Sequence, residues 1–197
     1  MDEDISFKKI FLITLIVAFS ISAIIGIVIL ILGKFNDTTG RILLTTASIG
    51  TFSLLGLCNS VLLERNRLKA IPITGLIIST MGFIMSLLLI WLHQQIGSNT
   101  LKVFVSLIII SVTFAHYSLM LLIKSEKIIV NISLCLTLLF ISFVALEGII
   151  LIFIEPRNIL QGWIRLIGVF AIIDILGTIC TPIIYKITRM QKEEQIS

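Results

Sequence analysis

The sequence predicts an all-α integral membrane protein, built as a bundle of six transmembrane helices. Of its 197 residues, 57% are hydrophobic and 13% are charged, whereas soluble domains are about half apolar and a quarter charged. A membrane-spanning helix uses roughly 20 apolar residues, so the composition supplies five or six crossings and leaves little for a water-facing domain. It excludes a soluble enzyme, a disordered protein and a disulfide scaffold.

Six apolar runs, each about as long as a bilayer crossing requires, are separated by short polar segments. Alternating ten-residue strand patterns are not visible, and backbone groups in hydrocarbon must be satisfied internally, so each run is expected to be a helix. We therefore expect a single membrane domain over residues 1–197, with spans at about 10–32, 42–63, 71–92, 103–123, 128–154 and 166–185.

The first run is expected to be an uncleaved span. Lys8 and Lys9 precede it as in a signal peptide, but the leading residues are acidic and the apolar run resumes at once after the small residues around Ser20. The basic residues Arg41, Lys102 and Arg165 each open a later span, about 61 to 63 residues apart, the length of one helix hairpin. Three stacked hairpins would explain this spacing, and so would chance.

Lys and Arg residues predict the orientation. With a cytoplasmic N-terminus, ten of the fifteen lie inside and five outside, as the positive-inside bias of membrane loops requires. Both termini are then cytoplasmic, and Trp91 and Trp163 lie near the outer interface. The same bias accounts for the net charge of +4 without a nucleic-acid partner.

Asp174 is the sharpest exception to the apolar pattern. It lies nine residues after Arg165 and twelve before Lys186, so roughly 13 to 18 Å of helix separates it from either boundary. An unpaired carboxylate at this depth costs several kcal/mol. We expect Asp174 either to bind a proton, a cation or a partner helix, or to be a protonated or capped residue bonded to a neighbouring helix.

Three other polar residues are weaker candidates. Glu147 lies at the outer interface if its span ends near Leu146; if the helix continues to Ile154, it lies close in depth to Asp174 and the two carboxylates would share a proton. His116 is a possible proton relay or a neutral core histidine, about 10 Å deeper than Asp174. The Asn59 amide needs a polar partner on another helix.

Small residues recur at helical spacing on two spans. They are Ala18, Ser22 and Gly26 on the first, and Gly75, Ser79, Gly82 and Ser86 on the third. Small side chains let membrane helices approach closely. Packing inside the bundle is the simpler interpretation, and a homodimer seam or a docking face for another membrane subunit is the alternative.

Catalytic and metal motifs are absent from the sequence. It contains no G-x-S-x-G elbow, H-E-x-x-H pair, P-loop or dinucleotide-binding glycine pattern. The cysteines Cys58, Cys135 and Cys180 lie far apart within apolar runs, which is typical of small buried residues. No cofactor, metal or enzymatic activity is expected.

The stretch from Arg165 to Pro182, with Asp174 at its centre, resembles the closing helix of small, multi-span, uncharacterised bacterial membrane proteins. The similarity extends to residues 41–46, Arg-Ile-Leu-Leu-Thr-Thr. It implies a location in the bacterial cytoplasmic (inner) membrane and implies no activity.

The leading functional hypothesis from the sequence is a non-enzymatic subunit or accessory factor of a larger membrane complex. Its tiny loops and small-residue stripes favour contact with the lipid bilayer and with other membrane subunits or a second copy. The alternative is a small proton- or cation-coupled transporter that uses Asp174, with Glu147 and His116.

Overall fold

The computed structural model of the chain describes residues 7–32, 36–65, 68–92, 97–125, 127–154 and 161–194. Six α-helices cover nearly all of them: α1 (Phe7–Leu32), α2 (Asp37–Glu64), α3 (Ala70–Trp91), α4 (Ser98–Met120), α5 (Ile128–Phe153) and α6 (Gln161–Glu194). All six are long and apolar enough to cross a membrane. The predicted all-α, six-helix architecture is therefore confirmed.

Several helices extend beyond the apolar runs that predicted them. The α2 helix begins five residues early because Asn36 caps it, accepting a hydrogen bond from the Thr39 backbone N–H at 2.8 Å. The α6 helix continues past Tyr185 to Glu194, so Pro182 lies inside a helix rather than near its end. Apolar content marks where a chain meets hydrocarbon, whereas a helix continues for as long as its backbone bonds are made.

The helices form two compact units, Met1–Ala115 and His116–Ser197, and the boundary falls within α4. In the N-terminal unit, α1 packs against α2 and α2 against α3; in the C-terminal unit, α5 packs against α6. The single membrane domain and the three stacked hairpins stay predictions. Phe52, Leu55 and Ala115 form the centre of the N-terminal core, with Phe83 and Ile108 packed around them.

The α3 helix packs through its small residues, as the sequence predicts. Its buried positions are the four residues of the predicted stripe together with Pro72. A Cβ atom on Gly82 would lie 2.8 Å from the Phe52 ring, and one on Gly75 would lie 2.5 Å from the Asn59 side-chain oxygen. Glycine at these two positions therefore lets α3 approach side chains of α2 closely.

The small residues on α1 differ in whether they contact α2. Ala18 is buried, and the Ser22 hydroxyl donates a hydrogen bond of 2.6 Å to Thr46 on α2. Gly26, by contrast, would place a Cβ atom with nothing within 4 Å among the described residues. Gly26 thus does not make the close contact expected within the bundle, because the close contacts of α1 with α2 lie nearer the start of α1, at Phe11, Ala18 and Ser22.

Asn59 is fully buried on α2. Its side-chain amide donates to the carbonyl of Leu55, one turn earlier in the same helix, at 2.9 Å. The carboxamide lies against the bare backbone of Gly75. The amide thus has one acceptor in its own helix, and the polar partner expected on another helix stays a prediction.

Replacing Gly75 with alanine is expected to destabilise the protein. The new methyl group would overlap the Asn59 carboxamide, which is held by its own hydrogen bond, and overpacking of this kind costs about 1–3 kcal/mol. Unfolding of the purified protein in mild detergent measures the change. Gly168→Ala on α6 is the control, because a Cβ there meets nothing within 4 Å; equal effects of the two substitutions would contradict the predicted contact.

Candidate functional site

Hydroxyl groups line the contact between α5 and α6. The Thr181 hydroxyl, which is fully buried, lies 2.8 Å from the Ser133 hydroxyl and 3.2 Å from that of Thr137. Thr137 also donates to the Ser133 carbonyl at 2.9 Å. These bonds satisfy the polar atoms of the contact without water, as a packed interface in an apolar surrounding requires.

Gly177 is the position on α6 that admits this hydroxyl cluster. A Cβ atom there would lie 2.5 Å from the Thr137 hydroxyl oxygen. A larger residue would push α5 away and stretch the hydrogen bonds to Thr181. Glycine at position 177 is therefore needed for the hydrogen bonds of this cluster as well as for close packing.

Asp174 lies on α6, one turn before Thr178, with its side chain half-buried. Side chains four residues apart share a helix face, and the Thr178 hydroxyl is close enough to hydrogen-bond the Asp174 carboxylate. The same hydroxyl lies 3.0 Å from Nε2 of His116, near the end of α4. His116 also acts electrostatically on the carboxylate. Carboxylate, hydroxyl and imidazole thus form one connected row.

The structure shows which group connects His116 to Asp174. The sequence places the histidine about 10 Å deeper, because each residue is counted from the end of its own apolar run. In the structure His116 contacts Thr178, only four residues along the helix from Asp174, or roughly 6 Å. Thr178 is therefore the group that connects His116 to Asp174.

One oxygen of Asp174, Oδ1, is buried without a hydrogen-bond partner in the six described segments. Buried carboxylate oxygens almost always accept hydrogen bonds, and an unpaired one is costly. A bound proton would remove the charge of the carboxylate, and a donor brought by another molecule would satisfy this oxygen.

Glu147 lies within α5, which continues to Phe153. The helix therefore does not end near Leu146, and the position of Glu147 relative to the interface stays a prediction. Its side chain is only 7% exposed, and its Oε2 atom is buried without a hydrogen-bond partner among the described residues.

Glu147 and Asp174 do not share a depth. The contacts of Ser133 with Thr181 and of Phe143 with Phe170 set an antiparallel register, which places Asp174 level with about residue 140 of α5. Glu147 is then about seven residues farther along, roughly 10 Å. The expected sharing of one proton between the two carboxylates is contradicted, since such pairs need their oxygens in near contact.

Several polar residues of this region were not singled out from the sequence. Thr178 was detectable, because it lies four residues after Asp174 on the same helix face. The bond of the Tyr117 hydroxyl with that of Ser142, and the Thr181 cluster, depend on which helices meet. Threonine and serine in an apolar helix usually bond their own backbone, so the sequence alone does not single them out.

Within the six described segments, no group of three or more His, Cys, Asp and Glu side chains could hold a metal ion. Comparison of the chain with protein-family models, with curated proteins and with solved structures finds no match. The resemblance to small bacterial membrane proteins therefore stays a prediction.

The bond between Thr178 and His116 is expected to appear as a coupling free energy. Thr178→Val and His116→Phe should each destabilise the protein. Their combination should cost less than the sum by about 0.6 kcal/mol, the mean found for hydrogen bonds between membrane helices. Unfolding in mild detergent measures the four stabilities of this double-mutant cycle.

Thr188→Val is the control for that cycle. Its hydroxyl donates to the carbonyls of Ile184 and Tyr185 in the same helix, so it should show no coupling to His116. Additive effects of Thr178→Val and His116→Phe would contradict the connected row.

Proposed function

We propose that the chain is a small proton-coupled transporter, without enzymatic activity, in which Asp174 binds the coupling proton. The observation that supports this function is the row formed by Asp174, Thr178 and His116. Ionisable groups inside the apolar part of a membrane protein are expensive to keep and commonly form ion or proton pathways.

The chemistry of the row suits a proton. A hydroxyl both donates and accepts hydrogen bonds, and a neutral imidazole does the same through its two nitrogens. Thr178 can therefore accept a bond from one neighbour while it donates to the other. A proton bound at the unpartnered Asp174 oxygen would turn that oxygen into a donor and remove its unsatisfied charge.

A metal cation suits this donor set less well. Hard cations such as Ca²⁺ take about six to eight oxygen ligands, whereas the row offers only the carboxylate oxygens of Asp174 and one hydroxyl. We therefore prefer a proton among the coupling ions that the sequence leaves open.

The hydroxyl cluster offers a continuation of the row. Thr181 is one turn beyond Thr178, in the C-terminal half of α6. Its hydroxyl is hydrogen-bonded to those of Ser133 and Thr137 on α5. A cavity of about 210 Å³ between α5 and α6 is lined by Ser133, Thr137 and Gly177. The other residues that line this cavity are mainly apolar, so the direct hydrogen bonds among Ser133, Thr137 and Thr181 would form the continuation.

Asp174→Asn is expected to abolish coupled proton movement. Asparagine keeps the size of the side chain and an oxygen that accepts a bond from Thr178, but it cannot be protonated near neutral pH. Proteoliposomes with a trapped pH-sensitive dye are exposed to gradients of amino acids, organic acids, sugars, amines and monovalent cations. At least one gradient should change the internal pH with wild-type protein, and the variant should reduce that rate at least tenfold.

Asp37→Asn provides the matched control. It makes the same chemical change at an exposed position in the first turn of α2, and it should leave the flux unchanged. If no gradient moves protons through the wild-type protein, or if Asp174→Asn retains the flux, the proposed transport function is wrong.

A second candidate is the leading hypothesis from the sequence, a non-enzymatic subunit or accessory factor of a membrane complex. Gly26 favours this second candidate. The residue continues the spacing of Ala18 and Ser22, and no described residue lies within 4 Å of its Cβ position. Another helix, from a second copy or another subunit, could approach the backbone closely at this point.

Under this second candidate, Gly26→Leu should release a partner. Wild-type protein in mild detergent should form a particle with protein mass well above the 21.9 kDa of one chain, and the leucine side chain should reduce it to a single chain. Light scattering coupled to size-exclusion chromatography gives the mass, and Gly168→Leu is the control. A wild-type particle of one chain, with no accompanying protein, would rule this candidate out.

For location, we propose the bacterial cytoplasmic membrane with both termini inside. The six apolar helices support a multi-pass membrane protein, and the two-to-one excess of Lys and Arg on one set of ends supports the orientation. In this orientation α6 runs from the outside inward. The row from Asp174 to Thr181 then leads toward the cytoplasm.

A further inference from the structure

The N-terminal unit contains a cavity that the polar row of α6 does not explain. It has a volume of about 210 Å³ and is lined by residues of α1, α2 and α3. Three aromatic side chains contribute to its walls, Phe11, Phe52 and Phe83, and the last two meet edge to face with ring centroids 5.9 Å apart. The lining is largely apolar and suits a flat hydrophobic group.

The Ser79 hydroxyl in this lining has no partner among the described residues. Ser79 is 4% exposed, and its Oγ atom is buried without a hydrogen bond to any of them. Two other hydroxyls of the lining bond their own helices: Thr14 donates to Ile10 at 2.9 Å and Thr80 to Leu76 at 2.8 Å. Ser79 therefore presents a buried donor that these residues leave unsatisfied.

The depth of Ser79 limits what can accept its hydrogen bond. It lies midway along α3 (Ala70–Trp91), which would place it near the middle of the bilayer. Phospholipid tails bring no hydrogen-bond acceptor to that depth, since their ester oxygens lie near the interface. Water is scarce there. A fitting ligand is neutral, dissolves in the bilayer core and carries an acceptor on an apolar frame.

The cavity volume sets the size of the ligand. A dry apolar cavity of about 150 Å³ holds one benzene molecule, so 210 Å³ has room for a substituted six-membered ring. The Thr80 side chain is exposed while it also lines the cavity, so the space reaches the surface there. A long tail on the ring could leave through this opening into the lipid.

We propose that this cavity binds the head of a membrane quinone, with the Ser79 hydroxyl donating a hydrogen bond to one quinone carbonyl. A quinone ring is flat, neutral and apolar, and it carries carbonyl acceptors at its edge. The phenylalanines would pack against its faces and edges, which aromatic rings favour. The inference concerns binding, and it uses no residue of the Asp174 row.

The test compares two probes that differ in their carbonyl groups. A decyl-substituted benzoquinone and decylbenzene are titrated against the full-length protein in lipid nanodiscs, with empty nanodiscs subtracted. The quinone should bind saturably and more tightly than decylbenzene. Ser79→Ala should weaken quinone binding about fivefold, the effect of one ordinary hydrogen bond, and leave decylbenzene binding unchanged.

Two further variants separate a lost hydrogen bond from lost structure. Ser106→Ala removes a hydroxyl on α4 that already donates to the Lys102 carbonyl at 2.8 Å, and it should leave both affinities unchanged. Thr80→Trp should block the opening and weaken both probes. Without ligand, Ser79→Ala should unfold at the same temperature as wild type or higher, because it removes an unpaired polar group.

Three results would overturn the proposal. The first is equal quinone affinity of wild type and Ser79→Ala; the second is decylbenzene binding as tightly as the quinone. The third is a lower unfolding temperature of ligand-free Ser79→Ala, since this would mean that the hydroxyl already has a partner within the protein.

Discussion

Close approach of helix backbones at small residues is the constraint on which the rest of this structure depends. Apolar side chains gain little by leaving lipid for a helix contact, so packing and hydrogen bonds must hold membrane helices together. Gly75 and Gly82 bring α3 onto α2, and Gly177 brings α6 onto α5. At each glycine, the neighbouring helix presents a side chain that a methyl group would displace.

The same close contacts explain where polar side chains can exist. Asn59 lies against Gly75 and Thr137 lies against Gly177, and each donates a hydrogen bond to a carbonyl of its own helix. One buried atom of Asp174 and one of Ser79 have no hydrogen-bond partner among the described residues. A ligand that bonds to either atom would lower the cost of burying it. The functional proposals begin from these two atoms, one in each compact unit.

Much of the candidate site could be predicted, but not its connections. Asp174 was detectable from depth alone, because nine and twelve residues of helix separate it from the nearest charges. The meeting of His116 with Thr178 was not, since it depends on the relative height of α4 and α6, which counting residues within each run does not measure. Glu147 was misplaced relative to Asp174 for the same reason: register between helices is a property of their packing.

By itself, the sequence determined the class of the protein: six apolar helices, a stripe of small residues on α3, and an acid far from any charged residue of its helix. These follow from composition and helical spacing, which are local properties of the chain. Only the tertiary structure decided that Gly26 lies without a described neighbour, that Thr178 joins Asp174 to His116, and that Ser79 lines a cavity. Each of these depends on the distance between two helices. The spacing of residues along a single helix does not determine that distance.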